Sequence, residues 1–429
     1  MKKTFNQLVW VSLILGIAII NGCKKDAAIP TVTTTAVSAI SVRTAKSGGN
    51  ITSDGGASVT ARGDCWATTA NPVITNLLTS DSTGTGTFTS SLTGLNPNTL
   101  YYVRAYATNS AGTAYGNEVS FSTSPSSVAT LTTTAMTLVT ATTAVSGGVI
   151  SSDGGSPVTV RGLCWGITQN PLITGSKTTD GAGTGSYISN MAGLSPGTTY
   201  YVRAYATNSI GTVYGNQVIF NTKVSDIEGN SYNTVKIGNQ VWTAENLKTT
   251  RYNDNTQITI VTDNTQWVGL TTPAYCWYDN NEALNKPLYG ALYNWHAVSS
   301  GKLCPTGWHP PTDVEFSTLE KFLGMPPGQA DIWGWRGTNL GGQMKSTTGW
   351  GVGENGTNTS GFSALPGGYR YAASASFNGR GILTYFWSTT QDGLHPTWAW
   401  YRRIDGNSLD IYKASTEKFS GKSVRCIKD

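Results

Sequence analysis

The sequence predicts a mostly β, multidomain protein in which two β-sandwiches precede an α+β domain. Three observations support this prediction. The chain of 429 residues is rich in glycine (50 residues) and poor in charged residues (12%), a composition that favours strands and turns over helices. Residues 33–123 recur as residues 132–222. Residues 223–429 hold 11 of the 14 tryptophans and all 3 histidines, so the change in composition predicts a separate C-terminal domain.

The first 22 residues have the pattern of a secretory signal peptide. Two lysines precede an apolar run at residues 8–20, whose one polar residue is Ser12, and this run is shorter than the roughly 20 residues that span a bilayer. The run ends in Ile20-Asn21-Gly22-Cys23. These four residues resemble the lipobox of bacterial lipoproteins. The resemblance implies that lipidated Cys23 becomes the N-terminus, that its acyl chains anchor it stably in a membrane, and that residues 23–32 form a tether. An ordinary signal peptide with a chance cysteine is the alternative.

The two repeats align at a constant offset of 99 without a gap. Of the 91 aligned positions 53 are identical, so the segments arose by duplication. Short alternating segments separated by Gly, Pro, Asn and Asp fill each copy, which predicts strands and turns. A unit of about 100 residues has the size of one β-sandwich domain.

Each copy contains one long strand motif that follows a Leu-x-Pro corner. In the first copy it reads Leu95-Asn96-Pro97-Asn98-Thr99-Leu100-Tyr101-Tyr102-Val103-Arg104-Ala105. This motif and its counterpart at residues 194–204 resemble the fibronectin type III pattern. The resemblance implies that Leu95 packs under the corner and that a tyrosine hydroxyl ties the turn to the backbone. Alternation places Tyr101 and Val103 on one face of the strand and Tyr102 and Arg104 on the other.

Cys65 and Cys164 occupy matching positions of the two copies. Because they lie in separate domains, they are too far apart for a disulfide, and we predict two buried free thiols. Each is followed by a tryptophan that we expect to anchor the core between the sheets. The tripeptide Arg62-Gly63-Asp64 spells an integrin-type motif. It lies in a predicted strand rather than a loop, so we interpret it as accidental.

A series of motifs runs through residues 223–429 in a fixed order. They are Asp226-Ile227-Glu228-Gly229-Asn230, Val241-Trp242, Glu245-Asn246-Leu247, Tyr289-Gly290-Ala291-Leu292-Tyr293-Asn294-Trp295, Cys304-Pro305-Thr306-Gly307-Trp308-His309, Leu365-Pro366-Gly367-Gly368-Tyr369-Arg370, Phe386-Trp387-Ser388 and Val424-Arg425-Cys426. Together they resemble the Fibrobacter succinogenes major paralogous domain, which occurs on exported bacterial proteins. The resemblance implies no particular biochemical activity. More distantly, the motifs resemble the C-type lectin-like fold and its formylglycine-generating relatives.

One helix is predicted near the middle of this domain. Thr312 is a suitable N-cap, and Glu315 three residues later completes a capping box. The helix would carry an apolar stripe at helical spacing, formed by Phe316, Leu319, Phe322 and Leu323.

The lectin-like resemblance also implies a disulfide between Cys304 and Cys426. In the chain-entropy model, a bridge that closes so long a loop raises the free energy of unfolding by about 4–5 kcal/mol. Cys276 would remain as a buried thiol. Formylglycine-generating relatives bind copper through a pair of late cysteines. Cys426 is the only cysteine in the last 120 residues, so that oxidase activity is not expected.

No catalytic or metal-binding motif is evident. The carbohydrate-binding calcium motifs of C-type lectins are absent, and we predict no cofactor and no metal ligand, although calcium stays possible. Oxygen-rich turns occur at residues 279–282 and 354–355 and are interpreted as solvated turns. The histidines form no ligand pair. A glycosidase-like pair of carboxylates needs no sequence adjacency, so a hydrolase remains the least favoured alternative.

Tryptophans among Gly, Asn and Ser are the remaining signal. Exposed aromatic rings can stack on sugars or anchor a protein partner. The predicted ligand-binding residues are Trp333, Trp335, Arg336, Trp387, Trp398 and Trp400. Trp398 and Trp400 alternate along a predicted strand, so one face of a core would explain them equally.

The sequence therefore predicts a non-enzymatic lipoprotein of the outer membrane, displayed at the cell surface, with the periplasmic face as the alternative. Residues 33–123 and 132–222 would be spacers, and residues 223–429 a lectin-like head that binds a glycan or a protein ligand. The alternative is a structural protein for envelope assembly. No block of basic residues exists, so nucleic acid is not an expected partner.

Overall fold

The first repeat folds into a sandwich of two antiparallel sheets. The computed structural model describes residues 26–429, so the predicted signal peptide and Cys23 lie outside the described residues. The strands are β1 (Thr31–Thr34), β2 (Ala45–Ser53), β3 (Ala61–Ala67), β4 (Leu77–Leu78), β5 (Gly86–Leu92), β6 (Leu100–Asn109), β7 (Gly112–Tyr115) and β8 (Val119–Ser122). One sheet has the order β1-β2-β5 and the other the order β4-β3-β6-β7, with β8 also paired to β6.

The second repeat has the same architecture. Its strands are β9 (Thr130–Thr133), β10 (Ala144–Ser152), β11 (Val160–Gly166), β12 (Ser176–Lys177), β13 (Gly185–Met191), β14 (Thr199–Thr207), β15 (Thr212–Tyr214) and β16 (Val218–Asn221). The sheets have the orders β13-β10-β9 and β12-β11-β14-β15, with β16 also paired to β14. The prediction of two sandwiches in a mostly β, multidomain chain is confirmed.

A tyrosine closes the corner before the long strand of each sandwich. The Asn96 N–H donates a hydrogen bond of 3.0 Å to the Tyr101 hydroxyl, and the Ser195 N–H does the same to Tyr200. Leu95 is fully buried beneath the corner. This is the arrangement that the sequence motif predicts.

Cys65 and Cys164 are buried free thiols, as predicted. The Cys65 Sγ donates to the Pro72 carbonyl at 3.4 Å, and the Cys164 Sγ donates to the Pro171 carbonyl at 3.3 Å. Burial raises the pKa of each thiol to about 11, so neither is a reactive thiolate at neutral pH. Trp66 packs in the core, as expected.

The Asp64 carboxyl group is buried in the first sandwich. The residue has no exposed surface, and neither carboxylate oxygen has a hydrogen-bond partner among the described residues. Burial raises the pKa of this carboxyl to about 6, although the nearby hydroxyls of Ser47 and Ser90 oppose the shift. The matching position of the second sandwich holds the apolar Leu163. The tripeptide that contains Asp64 is therefore not an exposed recognition motif.

The C-terminal domain combines four sheets with short helices. Its strands are β17 (Val224–Ser225), β18 (Ser231–Tyr232), β19 (Thr234–Ile237), β20 (Gln240–Thr243), β21 (Thr259–Ile260), β22 (Ala274–Cys276), β23 (Leu292–Tyr293), β24 (Trp308–His309), β25 (Gly334–Arg336), β26 (Gly367–Arg370), β27 (Phe377–Arg380), β28 (Leu383–Gln391), β29 (Trp398–Asp405), β30 (Ile411–Glu417) and β31 (Ile427–Lys428). The helices are α1 (Asn264–Trp267), α2 (Glu282–Asn285), α3 (Trp295–Val298), α4 (Asp313–Phe322) and α5 (Leu340–Met344), and 3-10 turns lie at Tyr278–Asn280 and Pro327–Gln329.

The largest sheet of this domain has six strands in the order β25-β30-β29-β28-β26-β27. The smaller sheets have the orders β19-β20-β31-β24, β21-β22-β23 and β17-β18. Among the described residues, no helix is both long and apolar enough to cross a membrane. The likeness to the C-type lectin fold stays a prediction.

Helix α4 begins where the sequence predicts. Thr312 accepts a hydrogen bond from the Glu315 N–H, and Glu315 accepts from the Thr312 N–H, so the capping box is present. Phe316 and Leu319 are buried, as predicted. Phe322 is 63% exposed, so its place in the apolar stripe is wrong. The helix ends at this residue.

The disulfide implied by the resemblance is present between Cys304 and Cys426. The two residues are 122 positions apart, and their Cα atoms are 5.9 Å apart. Cys276 is a buried free thiol. The bridge joins the segment before β24 to the segment before β31, so it closes the chain around the six-stranded sheet.

Residues 128–429 form one unit in which the second sandwich packs on the C-terminal domain. Residues 26–127 belong to the other unit. The Lys428 ammonium donates to the Gly197 carbonyl at 3.0 Å and to the Thr198 hydroxyl at 3.2 Å. A Cβ atom at Gly197 would lie 2.2 Å from the Trp308 ring, so only glycine permits this approach. The first sandwich has Asn98 at the matching position.

We expect the first sandwich to lose stability as pH rises from about 4 to about 6. The folded state binds the Asp64 proton more tightly than the unfolded state, which titrates near 3.8, so the stability is full at low pH and falls through this window. The shift of about two units corresponds to about 3 kcal/mol. Asp64→Leu should remove the pH dependence and stabilise this sandwich at pH 7.

Pulse labelling of the buried thiols at increasing urea concentration measures the unfolding of each sandwich in the same chain. Labelling of Cys65 reports unfolding of the first sandwich, and labelling of Cys164 reports unfolding of the second. The second sandwich, with Leu163, is the internal control for intrinsic thiol reactivity. Equal pH dependence of the two labelling midpoints would contradict the prediction.

We expect Gly197→Asn to uncouple the second sandwich from the C-terminal domain. The side chain would collide with Trp308 and cost about 1–3 kcal/mol, whereas asparagine tolerates the positive φ of +54°. Calorimetry should show an additional thermal transition. The matched control is Asn98→Gly in the first sandwich, which should leave the transitions of residues 128–429 unchanged. If residues 128–429 of Gly197→Asn still unfold in one transition at the unchanged temperature, the contact between the second sandwich and the C-terminal domain is refuted.

Candidate functional site

Two exposed tryptophans lie on opposite sides of edge strand β25. Trp333 is 49% exposed and Trp335 is 43% exposed. Trp333 contacts Trp400 edge to face at 5.6 Å, and Trp335 contacts Tyr412 at 5.1 Å. Trp400 and Tyr412 project from opposite faces of the six-stranded sheet. The intervening Gly334 has a φ of +91°, a conformation that lets the chain turn Trp333 away from the face of Trp335.

Trp333 and Trp400 line an apolar pocket of about 350 Å³. Leu394, His395 and Asp392 complete it and come from the loop between β28 and β29. We call these five residues the aromatic pocket. Its volume lies in the range of small-molecule sites, which are mostly apolar with few polar groups.

Asp392 holds the loop of the aromatic pocket in place. Its carboxylate accepts hydrogen bonds from the Ser415 hydroxyl at 2.7 Å, from the His395 Nδ1 at 2.9 Å and from the Leu394 N–H at 2.9 Å. Burial opposes its ionisation, but these hydrogen bonds outweigh burial and lower the pKa of Asp392 to about 2. The carboxylate is therefore ionised, and it orients the histidine.

His395 presents its second nitrogen to ligands. In the neutral tautomer that donates its Nδ1–H to the Asp392 carboxylate, the Nε2 atom is a hydrogen-bond acceptor. Among the described residues, Nε2 has no hydrogen-bond partner. The ring stacks on Trp398 at 4.9 Å, so Trp398 supports the pocket from behind its histidine.

A buried ionic cluster fixes the sheet behind the aromatic pocket to helix α4. The Arg402 guanidinium is fully buried and donates to Glu320 and to Asp313, each at 2.6 Å. Arg336 also pairs with Glu320 at 2.6 Å, and Lys413 with Asp313 at 2.8 Å. Burial disfavours the Asp313 carboxylate, but Arg402 and Lys413 overcome this and hold its pKa below its ordinary value.

One residue of the ionic cluster, Lys413, contacts Trp400 in the wall of the aromatic pocket. The Lys413 ammonium lies 4.9 Å from the centre of the Trp400 ring, a cation–π distance. The face of Trp400 is thus positioned by the same lysine that pairs with Asp313. The orientation of the pocket wall depends on helix α4.

The structure brings together only some of the predicted ligand-binding residues. Trp333 and Trp400 share the aromatic pocket, Trp398 supports it, and Trp335 lies on the other face. The prediction is wrong for Trp387 and Arg336. Trp387 is fully buried and donates to the Tyr293 carbonyl at 2.9 Å, and Arg336 is 4% exposed in its ion pair. Neither can contact a ligand at the surface.

Sequence reasoning missed the loop residues of the pocket. Leu394 is 87% exposed, which is unusual for a leucine, and His395 lies only three residues from Asp392. An Asp-x-x-His spacing before a proline was the available signal for a carboxylate-oriented histidine.

The oxygen-rich turns have structural roles. Asn281 accepts from the Leu284 N–H at 3.0 Å and caps helix α2, and Glu282 pairs with Lys286 at 2.9 Å. Asn355 accepts from the Trp350 N–H at 3.1 Å. Within residues 26–429, no group of three or more His, Cys, Asp or Glu side chains is arranged to hold a metal ion.

Residues 235–428 match the family described as the Fibrobacter succinogenes major domain. The chain is also similar to two solved chicken structures. It has 14% identity to the FN1–FN3 domains of CNTN1, covering 46% of this chain and 69% of that chain with a TM-score of 0.19. It has 13% identity to a two-domain fibronectin type III segment of tenascin, covering 46% of this chain and 100% of that chain with a TM-score of 0.24. Neither similarity bears on ligand binding. No curated protein matches the chain in sequence.

Proposed function

We propose that the protein is a lipid-anchored envelope protein whose C-terminal domain binds a saccharide in the aromatic pocket. The observation that carries the proposal is the pairing of Trp333 and Trp400, whose rings meet edge to face at 5.6 Å at the surface. Two such rings offer perpendicular apolar walls. The C–H face of a sugar ring can stack on one wall while its edge contacts the other.

The polar groups around these walls suit sugar hydroxyls. In the described part of the chain, the indole N–H groups of Trp333 and Trp400 have no hydrogen-bond partner. They can donate to hydroxyl oxygens, while the His395 Nε2 can accept from a hydroxyl. Few polar groups at fixed positions beside apolar walls are the usual basis of orientation in a ligand pocket.

The aromatic pocket favours a neutral ligand. Its one carboxylate, Asp392, is 2% exposed and already accepts three hydrogen bonds. Lys413 is also buried and paired with Asp313. Neither Asp392 nor Lys413 is left to pair with a charge on the ligand. The function that fits is attachment to a neutral glycan.

The proposed display of this domain depends on the N-terminal anchor. Cys23 would hold the chain at the outer membrane, and the two sandwiches would act as spacers towards the cell surface. A glycan-binding domain at the distal end of such a chain serves adhesion.

We expect Trp333→Ala and Trp400→Ala each to weaken saccharide binding at least about tenfold, which is about 1.4 kcal/mol, because each removes one stacking wall. A glycan array with the full mature chain identifies the saccharide, and calorimetry measures the change. Phe322→Ala removes an aromatic ring that is 63% exposed on helix α4, outside the pocket, and is the matched control.

Two outcomes would contradict the proposed function. One is the absence of binding to every saccharide on the array, with or without calcium. The other is a loss of affinity in Phe322→Ala that equals the loss in the pocket variants.

We expect Cys23→Ser to release the protein from membranes, because it removes the acylated thiol. Fractionation of the producing cells and metabolic labelling with palmitate measure the effect, and Cys65→Ser is the control for loss of a cysteine elsewhere. If the wild-type chain takes up no palmitate and the Cys23 variant stays with the membrane, the anchor proposal fails.

A further inference from the structure

A second group of aromatic residues crosses the opposite face of the six-stranded sheet. Strand register places one residue from each of five strands directly side by side: Trp335 pairs with Tyr412, Tyr412 with Arg403, and Arg403 with Tyr385. Tyr369 follows on β26, with its ring 4.5 Å from that of Tyr385. Paired residues point to the same face of a sheet. We call these five residues the aromatic row.

The aromatic row is held together by stacking and by one cation. The Arg403 guanidinium lies 5.5 Å from the Trp335 ring centre, 5.7 Å from that of Tyr385 and 5.8 Å from that of Tyr412. Its Nε donates to Asp405 at 2.6 Å, and a second hydrogen bond joins the same two side chains. The arginine is therefore a neutralised spacer between rings.

Solvent reaches the row mainly at its ends. Trp335 is 43% exposed, and Tyr371, which contacts Tyr369 at the far end, is 45% exposed. Tyr385 in the middle is 7% exposed because it belongs to the buried core of the domain, against which Tyr369 and Tyr412 also pack, and the Lys422 ammonium lies 4.6 Å from its ring centre. Lys422 is itself buried, and burial lowers its pKa to about 7. The Lys422 ammonium is buried and the Arg403 guanidinium is paired with Asp405, so neither cation is free along this surface.

The dimensions of the row indicate the size of its ligand. Adjacent strands are about 4.8 Å apart, so five strands place the two ends about 19 Å apart. A single sugar ring covers only a part of that length. A ligand that contacts both Trp335 and the Tyr369–Tyr371 end must be a chain that runs perpendicular to the strands.

We infer that the aromatic row is a second binding surface, which takes an extended, uncharged polysaccharide chain. The chemistry is that of rings with polar tips: ring faces meet the C–H faces of sugars, and tyrosine hydroxyls and the indole N–H meet their hydroxyls. An acidic chain would find no free cation there. Trp333 and Trp335 lie on either side of Gly334, so the row adjoins the aromatic pocket around the edge of β25. The inference rests on the proposed saccharide-binding function.

The test measures how the full mature protein binds saccharides of increasing length. Calorimetry would compare mono-, di- and hexasaccharides of neutral β-linked glucan, mannan, xylan and chitin, and co-sedimentation would use the insoluble polymers. We expect the hexasaccharide of the recognised series to bind at least tenfold more tightly than the disaccharide. Trp335→Ala and Tyr412→Ala should abolish that gain and leave disaccharide binding unchanged, whereas Trp333→Ala should weaken both.

The outcomes separate the two proposals. If short saccharides bind but the hexasaccharide gains nothing, or if Trp335→Ala leaves the gain intact, the row is not a saccharide surface and the pocket proposal stands. If no saccharide of any length binds, the pocket proposal fails and the row fails with it. Phe322→Ala again controls for loss of an exposed ring, and circular dichroism with the thermal midpoint shows that each variant is folded.

Discussion

The paired charges around Arg402 are the constraint on which the C-terminal domain depends. Arg402 lies fully buried on β29 between Glu320 and Asp313 of helix α4, and Arg336 and Lys413 bring β25 and β30 to the same carboxylates. Removing one partner of a buried ion pair typically costs about 3–5 kcal/mol, because the other charge is left without compensation. The sheet and the helix therefore have one relative position. The positions of the exposed tryptophans on both faces of the six-stranded sheet depend on these ion pairs.

Duplication followed by divergence explains why the two sandwiches are not equivalent. They share the tyrosine corner and the buried thiol, which belong to the fold itself. They differ where their surroundings differ. Gly197 replaces the asparagine of the first copy where the second sandwich meets Trp308, and Leu163 stands where the first copy buries an ionisable carboxyl group. One copy is adapted to contact with the C-terminal domain, and the other buries a carboxyl group in its core.

Local features of the fold were predictable, and long-range features were not. The capping box of α4 involves residues three positions apart, and the tyrosine corner residues five apart, so a short motif specifies each. Arg336 looked like a surface residue beside tryptophans, but its partner Glu320 lies 16 positions away on another element. Alternation could not distinguish Trp387 from Trp400, because burial depends on which side of the sheet other elements cover. The aromatic row needs the register of five strands, which no local pattern contains.

Under the proposed function, the disulfide has a mechanical consequence when a bound ligand pulls on the C-terminal domain. Trp333 and Trp400 both lie inside the loop that Cys304 and Cys426 close. Tension that enters from the N-terminal side reaches Trp333 along the backbone after Cys304. It reaches Trp400 through the sulfur–sulfur bond and then backwards along the chain from Cys426. Two covalent routes in parallel therefore carry the load to the two walls of the pocket, and the chain between them cannot be drawn out as a single strand.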